Sequence, residues 1–144
     1  MSEVRGRRLE SRSEIDALLK KTRTIAVIGI KTEAQAEQPA YYVPAFAAKH
    51  GYRIVPVPVY YPDVTEILGQ RVHRSLATID GPVDLVNLFR RPGDVPGHLD
   101  DILAKRPKAV WMQLGIRHEA VAEKLLAAGI DVVQDRCLLV ELSR

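Results

Sequence analysis

Apolar residues in this chain fall in short unbroken runs separated by longer polar or amphipathic stretches. The clearest run is Thr24-Ile25-Ala26-Val27-Ile28-Gly29, in which five of the six residues are apolar or glycine without alternation. A strand covered on both faces has this pattern, which belongs to the interior of a parallel sheet. Similar runs follow at Tyr52 to Val57, Val83 to Phe89, Ala109 to Leu114 and Ile130 to Val133. Pro56 and Pro58 mark the exit of the second.

Helical patterns lie between them. Ser13 with Asp16 three residues on, and the stripe Ile15, Leu18 and Leu19, predict a short helix ending near Thr22. Pro44 and Gly51 bracket a crossover helix over Val43 to His50, with the proline in its first turn. Asp94 is placed to cap a helix in which Val95, Leu99, Ile102 and Leu103 share a face. Glu119 to Ala128 is a further helix, with Gly129 as its stop signal. The turn-rich stretch from Pro58 to Ile67 leads to a short edge strand at Val72-His73 and a helical turn over Ser75 to Ile79, and a tail from Asp135 to Arg144 closes the fold.

Strands alternating with helices at this spacing imply right-handed crossovers. The expected fold is α/β: a Rossmann-like, doubly wound parallel sheet in a three-layer α/β/α single domain. Its strand order would be 3-2-1-4-5-6, with the long middle excursion in the third slot. A chain of 144 residues supports one sizeable core. Residues 1–12 are expected to be a flexible tail and 13–144 the domain.

Composition narrows the function. At 47% hydrophobic and 27% charged residues, the chain is an ordinary globular one. No segment approaches the roughly 20 apolar residues of a membrane span. The arginine-rich N-terminus lacks an apolar run behind it, so a secretory signal is not expected and the cytoplasm is. The lone Cys137 excludes an internal disulfide and a zinc site built on paired thiolates. His50, His73, His98 and His118 lie on different elements, so no metal site is expected. Net charge is only +3 and the basic residues are scattered, which suits a small anionic ligand better than nucleic acid.

In the expected order, the strands ending at Gly29 and Phe89 are neighbours whose connections leave in opposite directions, and a crevice opens there. Its walls would be the loop from Ile30 to Gln38, the exit Val57-Pro58, Phe89-Arg90-Arg91 and Gln113-Leu114-Gly115. Pro92 holds Arg91 extended, which turns the two arginines apart and brings one toward the crevice. Lys31 and the backbone N–H groups beyond Gly29 extend an anion-binding surface. Solvated arginines at a strand end are the plainer alternative.

The G-x-G-x-x-G fingerprint is absent, and no acidic residue ends the second strand to hold a ribose diol, so NAD is disfavoured. A ligand with an extra ribose phosphate fits the basic groups better. Neither a G-x-S-x-G elbow nor a P-loop is present, which removes two common routes to hydrolysis. His118, at a helix start, and Cys137, beside Arg136, are the residues weighed for catalysis. Capping and packing are favoured for them, and no catalytic residue is assigned.

These motifs resemble the stand-alone CoA-binding domain proteins, whose Rossmann-like fold is also that of the N-terminal domain of the succinyl-CoA synthetase alpha subunit. The resemblance runs from about Ile15 to Leu142. It rests on Ile25-Ala26-Val27-Ile28-Gly29, Tyr42-Val43-Pro44, His50-Gly51-Tyr52 leading to Val55-Pro56-Val57, Pro82-Val83-Asp84, Phe89-Arg90, Trp111 to Ile116 and Asp135-Arg136-Cys137. It implies coenzyme A or an acyl-CoA bound across the C-terminal strand ends. The pyrophosphate would lie near Gly29, Ile30 and Lys31, the adenosine near Val57 and Pro58, and the pantetheine arm near Phe89, Arg90, Gln113 and Gly115. Tyr42 and Arg91 complete the binding candidates. Ligase chemistry is not expected to carry over, because the chain shows no ATP-grasp or second ligase domain and no match to the phosphohistidine loop.

The chain departs from the family's small-residue turn at Gly29-Ile30-Lys31 and from its Pro-Val-Asn-Pro at Pro56-Val57-Pro58-Val59. Two alternatives therefore stay open: a small NADP-type oxidoreductase or transferase using His118 or Cys137, and an interaction module with a vestigial crevice. Neither a membrane nor a nucleic-acid partner is expected.

Overall fold

In the computed structural model, which describes residues 4–144, the first apolar run is strand β1 (Thr24–Ile28), paired in parallel with β2 (Arg53–Val57). A small antiparallel hairpin follows, β3 (Glu66–Ile67) with β4 (Gln70–Arg71). Then β5 (Leu85–Leu88), β6 (Ala109–Met112) and β7 (Asp131–Val133) complete a parallel sheet of order β2-β1-β5-β6-β7. Register brings Val57, Ile28, Leu88 and Met112 to one level, so the C-terminal ends of four strands form a common rim.

The expected sequence of the long strands holds, but the slot beyond β2 contains no strand of the sheet. Pro56 has no N–H to offer there, and its carbonyl accepts the His73 N–H at 2.9 Å instead. The excursion folds on itself as the β3–β4 hairpin, and the expected edge strand at Val72-His73 is replaced by this single bond.

The helices are α1 (Arg12–Lys21), α2 (Pro39–Lys49), α3 (Leu99–Lys105), α4 (Glu119–Ala127) and α5 (Leu138–Leu142). Every interior strand alternates between two cores. Ala26, Ile28, Val86, Leu88, Val110 and Met112 face α3 and α4, where Leu99, Ile102, Val121 and Leu125 meet them. Ile25, Val27, Leu85, Ala109 and Trp111 face the other way, onto Ile15 and Leu19 of α1, Val43 and Ala47 of α2, and Leu138 of α5. This is the three-layer Rossmann-like arrangement.

Four local expectations are corrected. The capping residue of α1 is Ser11, in a reciprocal box with Glu14, not Ser13 with Asp16. Starting there puts Ile15 and Leu19 on the buried side. Helix α2 starts at Pro39, four residues before the expected Val43, and Pro44 lies inside it. Asp94 caps no helix: Pro92–His98 forms a 3-10 segment before α3, and Pro96 inside it lacks the N–H an α-helix would donate to Pro92. The C-terminal tail contains α5, which has no side-chain cap to announce it.

The tail expected over residues 1–12 is also corrected where it is described; residues 1–3 lie outside the described part. Leu9 donates its N–H to the Val132 carbonyl (2.9 Å), and Val132 donates to Arg7 (3.0 Å), so this segment lies beside β7. Leu9 is buried, Arg5 pairs with Glu123 at 3.1 Å and Arg8 with Glu119 at 3.0 Å.

Candidate functional site

The site begins at the end of β1, where Gly29 has φ +87°. A β-carbon there would stand 2.2 Å from the carbonyl oxygen of Phe89. Only glycine lets the ends of β1 and β5 close in this way. The Gly29 N–H donates to Val57 (2.9 Å) and the Phe89 N–H to Ile28 (2.9 Å), so three strand ends are tied together.

Beyond Gly29 the chain turns sharply. Ile30 is buried in the core on the α1–α2 side, while Lys31 reaches the surface of the crevice. Thr32 caps a 3-10 turn, Glu33–Gln35, through a reciprocal box with Gln35. The Lys31 N–H donates to the Ala40 carbonyl at 3.1 Å. In an unbroken helix that carbonyl would accept from residue 44, which is Pro44 and has no N–H. The proline in α2 thus supplies the acceptor that fixes the loop after β1.

The opposite wall comes from the exits of β5 and β6. Arg91, held extended (φ −60°, ψ 149°) before Pro92, starts the 3-10 segment. Both Arg90 and Arg91 line the crevice. Arg90 donates from Nε to His98 Nε2 at 3.1 Å, lies 3.8 Å from Asp94, and has its guanidinium carbon 6.0 Å from the centre of the Tyr60 ring. Gln113 is buried, and its side-chain oxygen faces the N–H of Leu138 at 3.4 Å. The turn at Gly115 (φ +84°) is pinned by Asp135 Oδ1, which accepts the Gly115 N–H at 2.7 Å.

Together these elements enclose a crevice of about 620 Å³. Of the residues expected to bind, Gly29, Lys31, Tyr42, Phe89, Arg90, Arg91, Gln113 and Gly115 line it. Ile30, Val57 and Pro58 do not: all three are buried. Val57 contributes its carbonyl to Gly29, and the wall beyond β2 is formed by Tyr60 and Tyr61 instead. Arg74 holds that wall, donating to the carbonyls of Tyr60 (3.0 Å), Tyr61 (2.8 Å) and Val64 (3.0 Å). Of the N–H groups beyond Gly29, those of Lys31 and Thr32 already have acceptors, the Ala40 carbonyl and Gln35 Oε1, and the Lys31 ammonium lines the crevice beside them.

Sequence reasoning also missed Pro39, Ala40 and Ile116. Cys137, weighed for catalysis, lines the crevice; His118 does not. His118 caps α4, its Nδ1 accepting the Val121 N–H at 3.2 Å. Among the described residues no group of three His, Cys, Asp or Glu side chains is arranged for a metal.

A second hollow of about 420 Å³ lies at the opposite, N-terminal end of the sheet, lined by Lys21, Asp84, Lys108 and Asp131 among others. Its charges are mixed. Asp84 is occupied with the N–H groups of Arg23 (2.9 Å) and Thr24 (3.0 Å), which tie the start of β1 to the start of β5. The 620 Å³ crevice lies where connections from β1 and β5 part to opposite faces, the position at which open α/β sheets take ligands.

Sheet order and crevice together define a Rossmann-like α/β protein with its candidate site at the switch point. The sequence profile of the CoA binding domain matches residues 23–143, and the chain belongs to that family. It is 33% identical over 130 residues to the uncharacterized protein YneT of Bacillus subtilis (strain 168), covering 90% of this chain and 93% of that one. Its fold matches cell-free ID.343 from Thermus thermophilus at a TM-score of 0.85 and 40% identity, over 94% of this chain and 98% of the other. A hypothetical protein from Pyrococcus horikoshii OT3 matches at a TM-score of 0.84 and 26% identity, over 100% of this chain and 98% of its own. No helix among the described residues is long and apolar enough to cross a membrane.

Proposed function

We propose that this protein binds coenzyme A or an acyl-CoA in the crevice at the C-terminal strand ends and acts in the cytoplasm as a carrier or sensor, without catalysis of its own. The observation that carries the reading is the charge of the lining: Lys31, Arg90 and Arg91 contribute three cations, and no carboxylate is among the residues described there. The rest of the surface is largely apolar and aromatic, with Tyr42, Tyr60, Tyr61, Phe89 and Leu114 beside the amides Gln38 and Gln113.

Coenzyme A has the complementary division. Its pyrophosphate and ribose phosphate need cations, and its adenine and pantetheine arm need aromatic and apolar surface. A wall of Gly29, Lys31 and the start of α2 suits the pyrophosphate, and Arg90 and Arg91 suit a further phosphate. Tyr60 and Tyr61 offer ring faces to the base in place of the buried Val57 and Pro58. Phe89, Gln113, Leu114 and Gly115 remain for the arm. The absence of a carboxylate from the lining also weighs against NAD, whose ribose diol calls for one.

Calorimetric titration with coenzyme A, acetyl-CoA, dephospho-CoA, NAD and NADP tests the reading. Micromolar binding of coenzyme A that weakens on loss of the ribose phosphate is the expected result. Binding of NADP in preference to coenzyme A would move the assignment to the oxidoreductase alternative. No binding by any of them would leave the interaction module.

A further inference from the structure

We propose that His98 is a positioning residue of this crevice: as a neutral imidazole it holds the Arg90 guanidinium in the wall, and protonation of the ring releases it and weakens the grip on an anionic ligand. The inference rests on the coenzyme A reading above for its ligand, but not for its internal mechanism.

Arg90 is held on three sides. Its Nε donates to His98 Nε2 (3.1 Å), one terminal nitrogen lies 3.8 Å from Asp94, and Tyr60 lies under the guanidinium carbon at 6.0 Å. Its side chain is only 16% exposed. With Nε and one Nη engaged, the other Nη is without a protein acceptor among the described residues, and it belongs to a side chain that lines the crevice. His98 accepts through Nε2, so the ring carries its proton on Nδ1.

The groups facing His98 are Arg90 from the exit of β5, Asp94 from its own 3-10 segment and Asp101 from α3. Burial, and then Arg90, push its pKa below the ordinary histidine value, against the opposite pull of Asp101 and Asp94. Asp101 is itself engaged, accepting the Leu76 N–H at 2.8 Å. At neutral pH the ring is therefore an acceptor. Once protonated it is a donor and a cation, facing a second cation across the former hydrogen bond, so Arg90 loses that hold and is repelled from that side, with only the longer contacts to Asp94 and Tyr60 remaining.

Two measurements test this. In the free protein, nitrogen-15 NMR follows the Arg90 Nε–H and the His98 ring from about pH 8 to about pH 5. Both are expected to move with one midpoint. Calorimetry then follows coenzyme A affinity over the same range, in the natural protein, His98→Gln and His98→Leu. A roughly tenfold loss of affinity on acidification is expected in the natural protein. Glutamine, whose amide oxygen accepts but does not titrate, should recover affinity lost in His98→Leu and flatten the profile. Coenzyme A's own ribose phosphate gains a proton at about pH 6, so the difference between the natural and His98→Gln profiles is what counts.

An Arg90 Nε–H that stays put while His98 titrates overturns the proposal, as do identical profiles for the natural protein and His98→Gln. If coenzyme A binds at no pH, the functional reading fails, and the NMR arm alone decides whether His98 holds Arg90.

Discussion

The backbone N–H of Lys31 donates to the carbonyl of Ala40, an acceptor left free because residue 44, four places further along α2, is proline. An imperfection in a helix thereby becomes an attachment point for the loop that carries a crevice-lining cation. Replacing Pro44 with alanine restores the helical donor, which then competes for Ala40. The expected result is faster amide exchange at Lys31, by about fivefold for a bond worth ~1 kcal/mol, with coenzyme A affinity falling alongside it. Hydrogen exchange read by NMR checks the first and calorimetry the second.

Gly29 offers a sharper test of the strand junction. Alanine there meets both a left-handed backbone, φ +87°, and the Phe89 oxygen at 2.2 Å. Since the obstacle is backbone, no side-chain rotation relieves it. Gly29→Ala is expected to cost on the order of 3 kcal/mol in urea unfolding and to abolish ligand binding, because β1 and β5 must separate at the crevice floor.

Asp84 makes stability depend on acidity. Burial pushes its pKa up, but the N–H groups of Thr24 and Arg23 and the nearby Lys108 ammonium outweigh that, and its pKa lies below the ordinary carboxylate value. A depressed folded value means the contribution is present above the unfolded pKa of about 3.9 and is lost as pH falls through the folded value. Asp84→Asn should therefore be less stable by about 1–2 kcal/mol near neutral pH, and the gap should narrow below about pH 4. Denaturant midpoints of both proteins across this range check the sign.

Removing the cations one at a time tests how the charge is used. Lys31→Ala and Arg91→Ala are each expected to weaken coenzyme A by roughly threefold to tenfold and to reduce the salt dependence of binding. Free adenosine, which carries no phosphate, should lose little. Equal losses for coenzyme A and adenosine would mean that the side chains act by shape and not by charge.

The parallel strands were legible because most of their residues are apolar on both faces, and the crevice followed from where their connections part. Gly29, Arg90, Gln113 and Gly115 came from that rule and line the crevice. What escaped depends on distant partners. Tyr61 takes a positive φ of 64° and shares the Arg74 clamp with Tyr60, a contact spanning 13 residues for one and 14 for the other. Leu9 is a single apolar residue among charges, and only the β7 edge across the molecule gives it a place. Ser11 and Ser13 each precede an acidic residue by three positions, so the local pattern offered two caps, and burial of Ile15 and Leu19 decides between them. Ile30, Val57 and Pro58 show the opposite limit: nearness to a strand end places a residue by the crevice without turning its side chain into it.

The docked N-terminal segment and Pro56 have a joint consequence for how copies of this chain can meet. At one margin β7 exchanges hydrogen bonds with Arg7 and Leu9; at the other, β2 presents a proline without a donor and a carbonyl already taken by His73. Neither margin offers the repeating ladder of free donors and acceptors through which sheets from separate molecules merge. Among the described residues, the route from the five-stranded sheet to a fibril is obstructed at both margins by the chain's own backbone.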